Sequence, residues 1–180
     1  METYVALLRG INVSGKNIIK MEDLRQIFER MQFSNVQTYI QSGNVIFSAK
    51  STAESALLQK IEKGLEKELG YSVPVMLRTP SSLATVVSQH PFGNVSPEET
   101  RKLYVTFLHD TPSEAMQQSM LQLQSDQEKF HFIGRELYIA VEKSMLKPLF
   151  TNVLLEKKLK MAATTRNWAT VNKLLTLSAR

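Results

Sequence analysis

Tyr4-Val5-Ala6-Leu7-Leu8 is apolar at every position. A strand buried on one face alternates apolar with polar residues; an unbroken apolar run marks a strand covered on both faces. It leads into Arg9-Gly10-Ile11-Asn12-Val13-Ser14-Gly15-Lys16-Asn17, where two glycines, two asparagines, an arginine and a lysine crowd into nine residues. Met21, Leu24, Ile27, Phe28 and Met31 then recur at helical spacing, and Glu22 and Asp23 suit the positive end of a helix dipole. The opening thus reads strand, polar loop, helix.

The next segments extend this into a recognisable order. Val36-Gln37-Thr38-Tyr39-Ile40-Gln41 alternates as an edge or half-buried strand does, Ser42-Gly43-Asn44 has turn chemistry, and Val45-Ile46-Phe47 returns as the hairpin's second strand. Ser51-x-x-Glu54 has the spacing of a capping box, ahead of a helix with Leu58, Ile61, Leu65 and Leu69 on one face and Gly70 placed to end it. Val73-Pro74-Val75-Met76-Leu77 is a strand whose proline cannot donate to a ladder, which puts it at a sheet edge. The order is βαββαβ, the ferredoxin-like plait. Its spatial strand order, 4-1-3-2, puts the apolar first strand at the centre and the alternating second and proline-bearing fourth strands at the edges, as their patterns require.

Ser81 to His90 reads as a short helix, and Pro91-Phe92-Gly93-Asn94 with Ser96-Pro97 as a linker. A second unit follows: a strand over Leu103–Leu108, a helix over Pro112–Leu123, and a hairpin of Phe130–Ile133 and Leu137–Val141 around Gly134-Arg135. Helices are expected over Leu146–Met161 and Arg166–Leu177. The expected class is therefore α+β. A ferredoxin-like βαββαβ unit occupies residues 1–80, a helix and linker 81–98, and a related βαββα unit, lacking a last strand but carrying an extra C-terminal helix, 99–180. The two are expected to form one compact whole, because the first strand has no polar face to offer solvent.

With 180 residues, 43% of them hydrophobic and 22% charged, the chain can bury a core of its own and has the balance of a soluble globular protein. No apolar run approaches the ~18 residues that span a bilayer, and no basic n-region precedes the first strand, so no membrane segment or secretion signal is expected. The absence of cysteine excludes disulfides, thiolate metal sites and cysteine nucleophiles. The expected compartment is the cytoplasm. A net charge of +5 permits an anionic partner but falls short of the basic stripe of a dedicated nucleic-acid binder. The densest basic run, Lys157-Lys158-Leu159-Lys160, closes a helix-like segment, where cations complement the dipole.

Topology locates a candidate site. In the plait, the end of the first strand and the turn of the first hairpin lie at the same edge of the sheet. Arg9, Gly10, Asn12, Gly15, Lys16 and Asn17 are therefore expected to face Gln41, Ser42 and Asn44. Gly10 to Lys16 satisfies G-x-x-x-x-G-K, but Asn17 stands where a P-loop has its magnesium-binding hydroxyl, and Ile18-Ile19-Lys20 delays the helix. A nucleotide-hydrolase loop is disfavoured. Two readings remain open. In one, glycine lets backbone amides approach an anion while Arg9 or Lys16 supplies charge. In the other, the glycines shape a long turn that the asparagines cap through their own amides. A second candidate segment is Thr164-Thr165-Arg166-Asn167-Trp168, read as a helix start with Thr165 as N-cap and Arg166 and Asn167 directed at a ligand.

Catalytic constellations do not emerge. His90, His109 and His131 fall in no ligand spacing, so no metal is assigned. There is no G-x-S-x-G elbow and no close carboxylate pair in the loops. Whether the chain is an enzyme is left open, and no cofactor is assigned. Tyr39 and Phe47 do not make the aromatic pattern of an RNA-binding plait.

Leu7-Leu8-Arg9-Gly10-Ile11-Asn12-Val13-Ser14-Gly15-Lys16-Asn17, Tyr39-Ile40-Gln41-Ser42-Gly43-Asn44-Val45 and Thr165-Arg166-Asn167-Trp168-Ala169-Thr170-Val171 together resemble a widespread bacterial family, the domain of unknown function numbered 1697. The resemblance runs from Tyr4 to Leu175. It implies an α+β fold and marks these three segments as characteristic, but carries no reaction, substrate or residue role. From the residues themselves, the expected function is binding of a small anionic or phosphate-bearing ligand at the loop and hairpin turn. The alternatives are a nucleic-acid-binding module and a structural or partner-binding domain.

Overall fold

The computed structural model describes residues 1–93 and 100–179, so Asn94, Ser96 and Pro97 of the expected linker lie outside the described residues. The chain divides into two units, Met1–Ala84 with Leu174–Arg180, and Thr85–Lys173. The first contains β1 (Glu2–Leu8), α1 (Met21–Arg30), β2 (Ser34–Tyr39), β3 (Asn44–Ala49), α2 (Glu54–Leu69) and β4 (Val75–Arg78). Helix α3 (Pro80–Ser88) crosses the division. The second contains β5 (Arg101–Leu108), α4 (Glu114–Leu121), β6 (Glu128–Ile133), β7 (Glu136–Glu142), α5 (Asn152–Leu159) and β8 (Ala163–Asn167), and α6 (Trp168–Ser178) closes the chain.

In the first sheet the order is β2-β3-β1-β4, with β1 antiparallel to both neighbours. This is the expected plait. Tyr4, Ala6 and Leu8 share a core with Val45 and Phe47 of β3, Leu24, Ile27 and Phe28 of α1, and Leu57, Ile61 and Leu65 of α2. On the opposite face of β1, Val5 and Leu7 are also fully buried, which is why the run is apolar at every position. Phe47 is the hub of the aromatic packing, with ring centroids 4.6 Å from Phe33, 5.4 Å from Phe28 and 5.7 Å from Tyr4. Alternation in β2 matches its edge position, and Pro74 sits immediately before edge strand β4. Gly70 ends α2 at φ +79°, its amide donating to the Glu66 carbonyl. The expected Ser51–Glu54 capping box is not made. Ala53 holds the N-cap position, and no side chain caps the helix there.

Around β5, the second sheet repeats the order, β6-β7-β5-β8. The α+β class and the duplication hold, but the second unit has the last strand that the sequence reading omitted. β8 pairs with β5 from Tyr104↔Asn167 to Leu108↔Ala163. Its Thr164-Thr165-Arg166-Asn167 carries no apolar run, because polar partners meet inside: Thr106 and Thr165 hydroxyls lie 2.7 Å apart, and Arg166 Nη1 donates to Thr164 Oγ1 at 2.7 Å. The expected helix over 146–161 shrinks to α5. The buried Glu128 carboxylate accepts from the Leu149 and Phe150 amides at 2.8 and 2.9 Å, drawing that backbone away, and Thr151 caps the helix by accepting from Leu154 N.

Candidate ligand site at the first loop and hairpin

Residues 9–20 connect β1 to α1. Within them φ is positive at Gly10, Asn12, Ser14, Gly15 and Asn17. The left-handed region costs most L-residues about 1–2 kcal/mol, nothing for glycine and least, among the rest, for asparagine. Added Cβ atoms at Gly10 and Gly15 would meet nothing within 4 Å, so conformation and not crowding is what asks for glycine there.

Asn12 fastens the loop. Its Nδ2 donates to the Ile19 carbonyl at 3.0 Å and to the Gln41 carbonyl at 2.9 Å, while its Oδ1 accepts from the Ile19 amide at 2.8 Å. One side chain therefore ties the start of the loop to its end and to the hairpin turn. Further closures come from Asn12 N to Asn17 O (3.1 Å), Asn17 Nδ2 to Gly10 O (3.0 Å) and Lys16 N to Val13 O (2.9 Å). The Ser14 and Gly15 amides take no part in them.

The hairpin turn is equally constrained. Gly43, at φ +78°, accepts from Leu8 N through its carbonyl at 2.9 Å; a Cβ there would lie 3.0 Å from Leu8 Cβ and 3.3 Å from Ile11 Cβ. Asn44, fully buried, donates through Nδ2 to Tyr39 O and to Ser42 Oγ, both at 2.9 Å. Ile40 stands at φ +50°, a left-handed conformation for a β-branched residue.

Of the expected residues, Gly10, Asn12, Asn17 and Gln41 are brought together by direct hydrogen bonds, and Ser42 and Asn44 complete the turn beside them. The asparagine amides are engaged in holding backbone, as the turn-capping reading describes. Lys16 and Gly15 are exposed at the loop tip, and Arg9 is half-buried at its base, its amide donating to Pro74 O. Sequence reasoning missed Ile19, whose amide and carbonyl are both gripped by Asn12, and Gly43 as a point of close approach. A glycine wedged between Ser42 and Asn44 was the available signal for the second; nothing marked the first.

Arg166 and Asn167 belong to the second unit. The expected helix start is corrected: Arg166 lies in β8 with Thr165, and the N-terminal cap of α6 is Asn167, whose Oδ1 accepts from Thr170 N at 2.8 Å. The Arg166 guanidinium is buried, and desolvation pushes its pKa down to about 10. Among the described residues, no three His, Asp or Glu side chains group as metal ligands, and no helix is long and apolar enough to cross a membrane.

Residues 1–138, from before β1 into β7, match the family described as protein of unknown function, DUF1697. The chain belongs to that family. The match takes in the loop and hairpin motifs of DUF1697; the segment at 165–171 lies beyond it. Among solved structures, the chain is similar to a conserved bacterial protein, SP0830, from Streptococcus pneumoniae, at 20% identity and a TM-score of 0.77 over 100% of this chain and 99% of that one. At that identity the likeness shows a shared fold. Among curated proteins, none matches the chain.

Proposed function

We propose that the first unit binds a small anionic, phosphate-bearing ligand on the loop and hairpin turn. The observation that carries this reading is the contrast between two copies of one fold. Where the first unit connects strand to helix through residues 9–20, the second needs only residues 109–113; where the first turns its hairpin through 40–43, the second uses Gly134 and Arg135. The plait closes with the short versions, so the added residues, all at one edge of the first sheet, serve something other than the fold. Lys16 supplies exposed charge, Arg9 a second cation at the base, and the Ser14 and Gly15 amides, which take no part in the loop's internal closures, are backbone donors at its exposed tip. Asn12, Asn17 and Asn44 act as braces for those groups.

Calorimetric titration with inorganic phosphate, pyrophosphate and a nucleotide and sugar-phosphate panel tests the reading. Saturable binding that Lys16→Ala weakens about tenfold, the loss of one charge-assisted hydrogen bond, supports it; no binding across the panel sinks it. Binding to generic RNA or DNA that falls steeply with salt would favour the nucleic-acid alternative. One observation favours a partner-binding surface: Val13, Ile18 and Ile40, each adjacent to a braced position, are 55%, 75% and 45% exposed. Self-association lost in Ile18→Ser, with no phosphate binding, would support that second reading.

A further inference from the structure

The first unit contains a concavity whose lining includes none of the loop or hairpin-turn residues. Its volume is about 490 Å³, within the range of small-molecule sites. Gln32 from the turn after α1, Ala49 from the end of β3, Lys50 and Thr52 from the connection that follows, and Leu57 and Lys60 from the first turns of α2 surround it, with the Phe33 ring among its walls. Phe33, Ala49 and Leu57 are nearly inaccessible and form an apolar floor. The Lys60 ammonium sits 4.7 Å from the centre of the Phe33 ring, which fixes one cation over that floor.

Charge separates this concavity from its neighbour. A second crevice of about 490 Å³ between α1 and α2 sets Lys20 and Arg30 against Asp23 and Glu68, and Arg30 is paired to Glu68 at 2.6 Å. The first has Lys50 and Lys60 but, among the described residues lining it, no aspartate or glutamate. Two cations above an aromatic and aliphatic floor, with a glutamine amide and a threonine hydroxyl alongside, make a site for a molecule with a negative head and an apolar body.

We propose that this concavity binds small amphipathic carboxylates, the carboxylate between Lys50 and Lys60 and the hydrocarbon or aromatic body against Phe33 and Leu57. An inorganic anion offers nothing to the floor, and a neutral isostere nothing to the lysines. The site is separate from the loop and does not depend on what binds there.

The test is an NMR titration of the ¹⁵N-labelled full chain with 3-phenylpropionate, with 3-phenylpropanol and inorganic phosphate as controls. Expected are saturable shifts of the amides of residues 32–33 and 49–60, with an affinity about tenfold above that of the alcohol, and about tenfold weaker in Lys60→Gln and in Lys50→Gln, each variant losing one charge-assisted contact. Both lysines are surface groups, and an unchanged amide spectrum shows that each variant is folded. No saturable shift at those amides overturns the proposal, as does equal affinity for the alcohol, equal affinity for phosphate, or affinity unaffected in the Lys50→Gln, Lys60→Gln double variant. Shifts confined to residues 9–17 overturn it too and point to the loop.

Discussion

If Asn12 is the fastener of the candidate loop, replacing it should loosen the loop in a pH-dependent way that identifies which atoms matter. Asn12→Ala removes two hydrogen bonds to Ile19, each contributing about 1 kcal/mol net, and those to exposed Gln41, discounted because water replaces them. It also places alanine at φ +53°, adding about 1 kcal/mol. Together the loss is about 3 kcal/mol for the first unit. Asn12→Asp keeps an acceptor for the Ile19 amide but turns a carboxylate oxygen toward the Ile19 and Gln41 carbonyls, 3.0 and 2.9 Å away in the parent. That environment raises the folded-state pKa of the new carboxyl above its unfolded value near 3.9. A raised folded pKa contributes stability below the unfolded value that is lost as pH rises through the folded one. Asn12→Asp should therefore be the least stable variant at pH 7 and recover, relative to the parent, as pH falls toward 4. The deficit of Asn12→Ala should not change with pH. Trp168, the only tryptophan, lies in the second unit, so the measurement is urea denaturation by far-ultraviolet dichroism with hydrogen exchange at the Ile19 and Leu8 amides. Unchanged Ile19 exchange in Asn12→Ala, or a pH-independent deficit in Asn12→Asp, would refute the reasoning.

Two further outcomes follow in the second unit, where Trp168 is the reporter. Glu128→Ala leaves the Leu149 and Phe150 amides without their carboxylate and should destabilise the unit by about 3 kcal/mol in urea, with Glu128→Gln losing less because one amide keeps an acceptor; equal midpoints for parent and Glu128→Ala would dismiss the anchoring role. His90 packs 4.7 Å from Trp168, accepts from the Phe92 amide at Nδ1, and buries Nε2 without a hydrogen-bond partner among the described residues, so desolvation lowers its pKa below 6.5. A lowered folded pKa contributes stability that is complete above the unfolded value and lost as pH falls through the folded one. Acidification below about 6.5 should weaken the parent and quench Trp168, and His90→Phe should remove both responses; a pH profile identical in the two proteins would contradict this.

Legibility tracked how directly a residue's position is dictated by its own chemistry. The uninterrupted apolar run of β1 permits only a central place in a sheet and stands there, and the segment after Pro74, whose missing donor pointed to an edge, forms edge strand β4. The convergence of loop and turn followed from that topology and is realised in the Asn12–Gln41 bond. β8 was illegible because its burial is satisfied in pairs. A threonine hydroxyl is acceptable inside only if a partner from β5 meets it, and Thr106 is fifty-nine positions from Thr165. Likewise, Ser51 and Glu54 had the spacing of a capping box, but α2 begins at Glu54 with Ala53 at its N-cap, which leaves Ser51 outside the helix. Local pattern fixes an element where nothing distant outbids it.

Strain gives an independent reason to regard the loop and turn as more than a connection. Among the described residues, seven other than glycine have positive φ. Gln32 and Lys160 stand just past the ends of α1 and α5, where left-handed residues are routine, and Asn35 lies in the register shift between β2 and β3. The other four, Asn12, Ser14, Asn17 and Ile40, all belong to the loop and the turn it grips. Their counterparts in the second unit, residues 109–113 and the Gly134–Arg135 turn, hold positive φ at glycine alone. A relaxed connection would place glycine at such positions, and isoleucine at φ +50° is the opposite choice. Conformations costing about 1–3 kcal/mol each persist only where surrounding contacts over-determine them, and the bonds from Asn12, Asn17 and Asn44 are contacts of that kind. The braces and the strain therefore explain one another. What the fold does not explain is why so much hydrogen bonding holds four residues in a shape that its own second copy dispenses with.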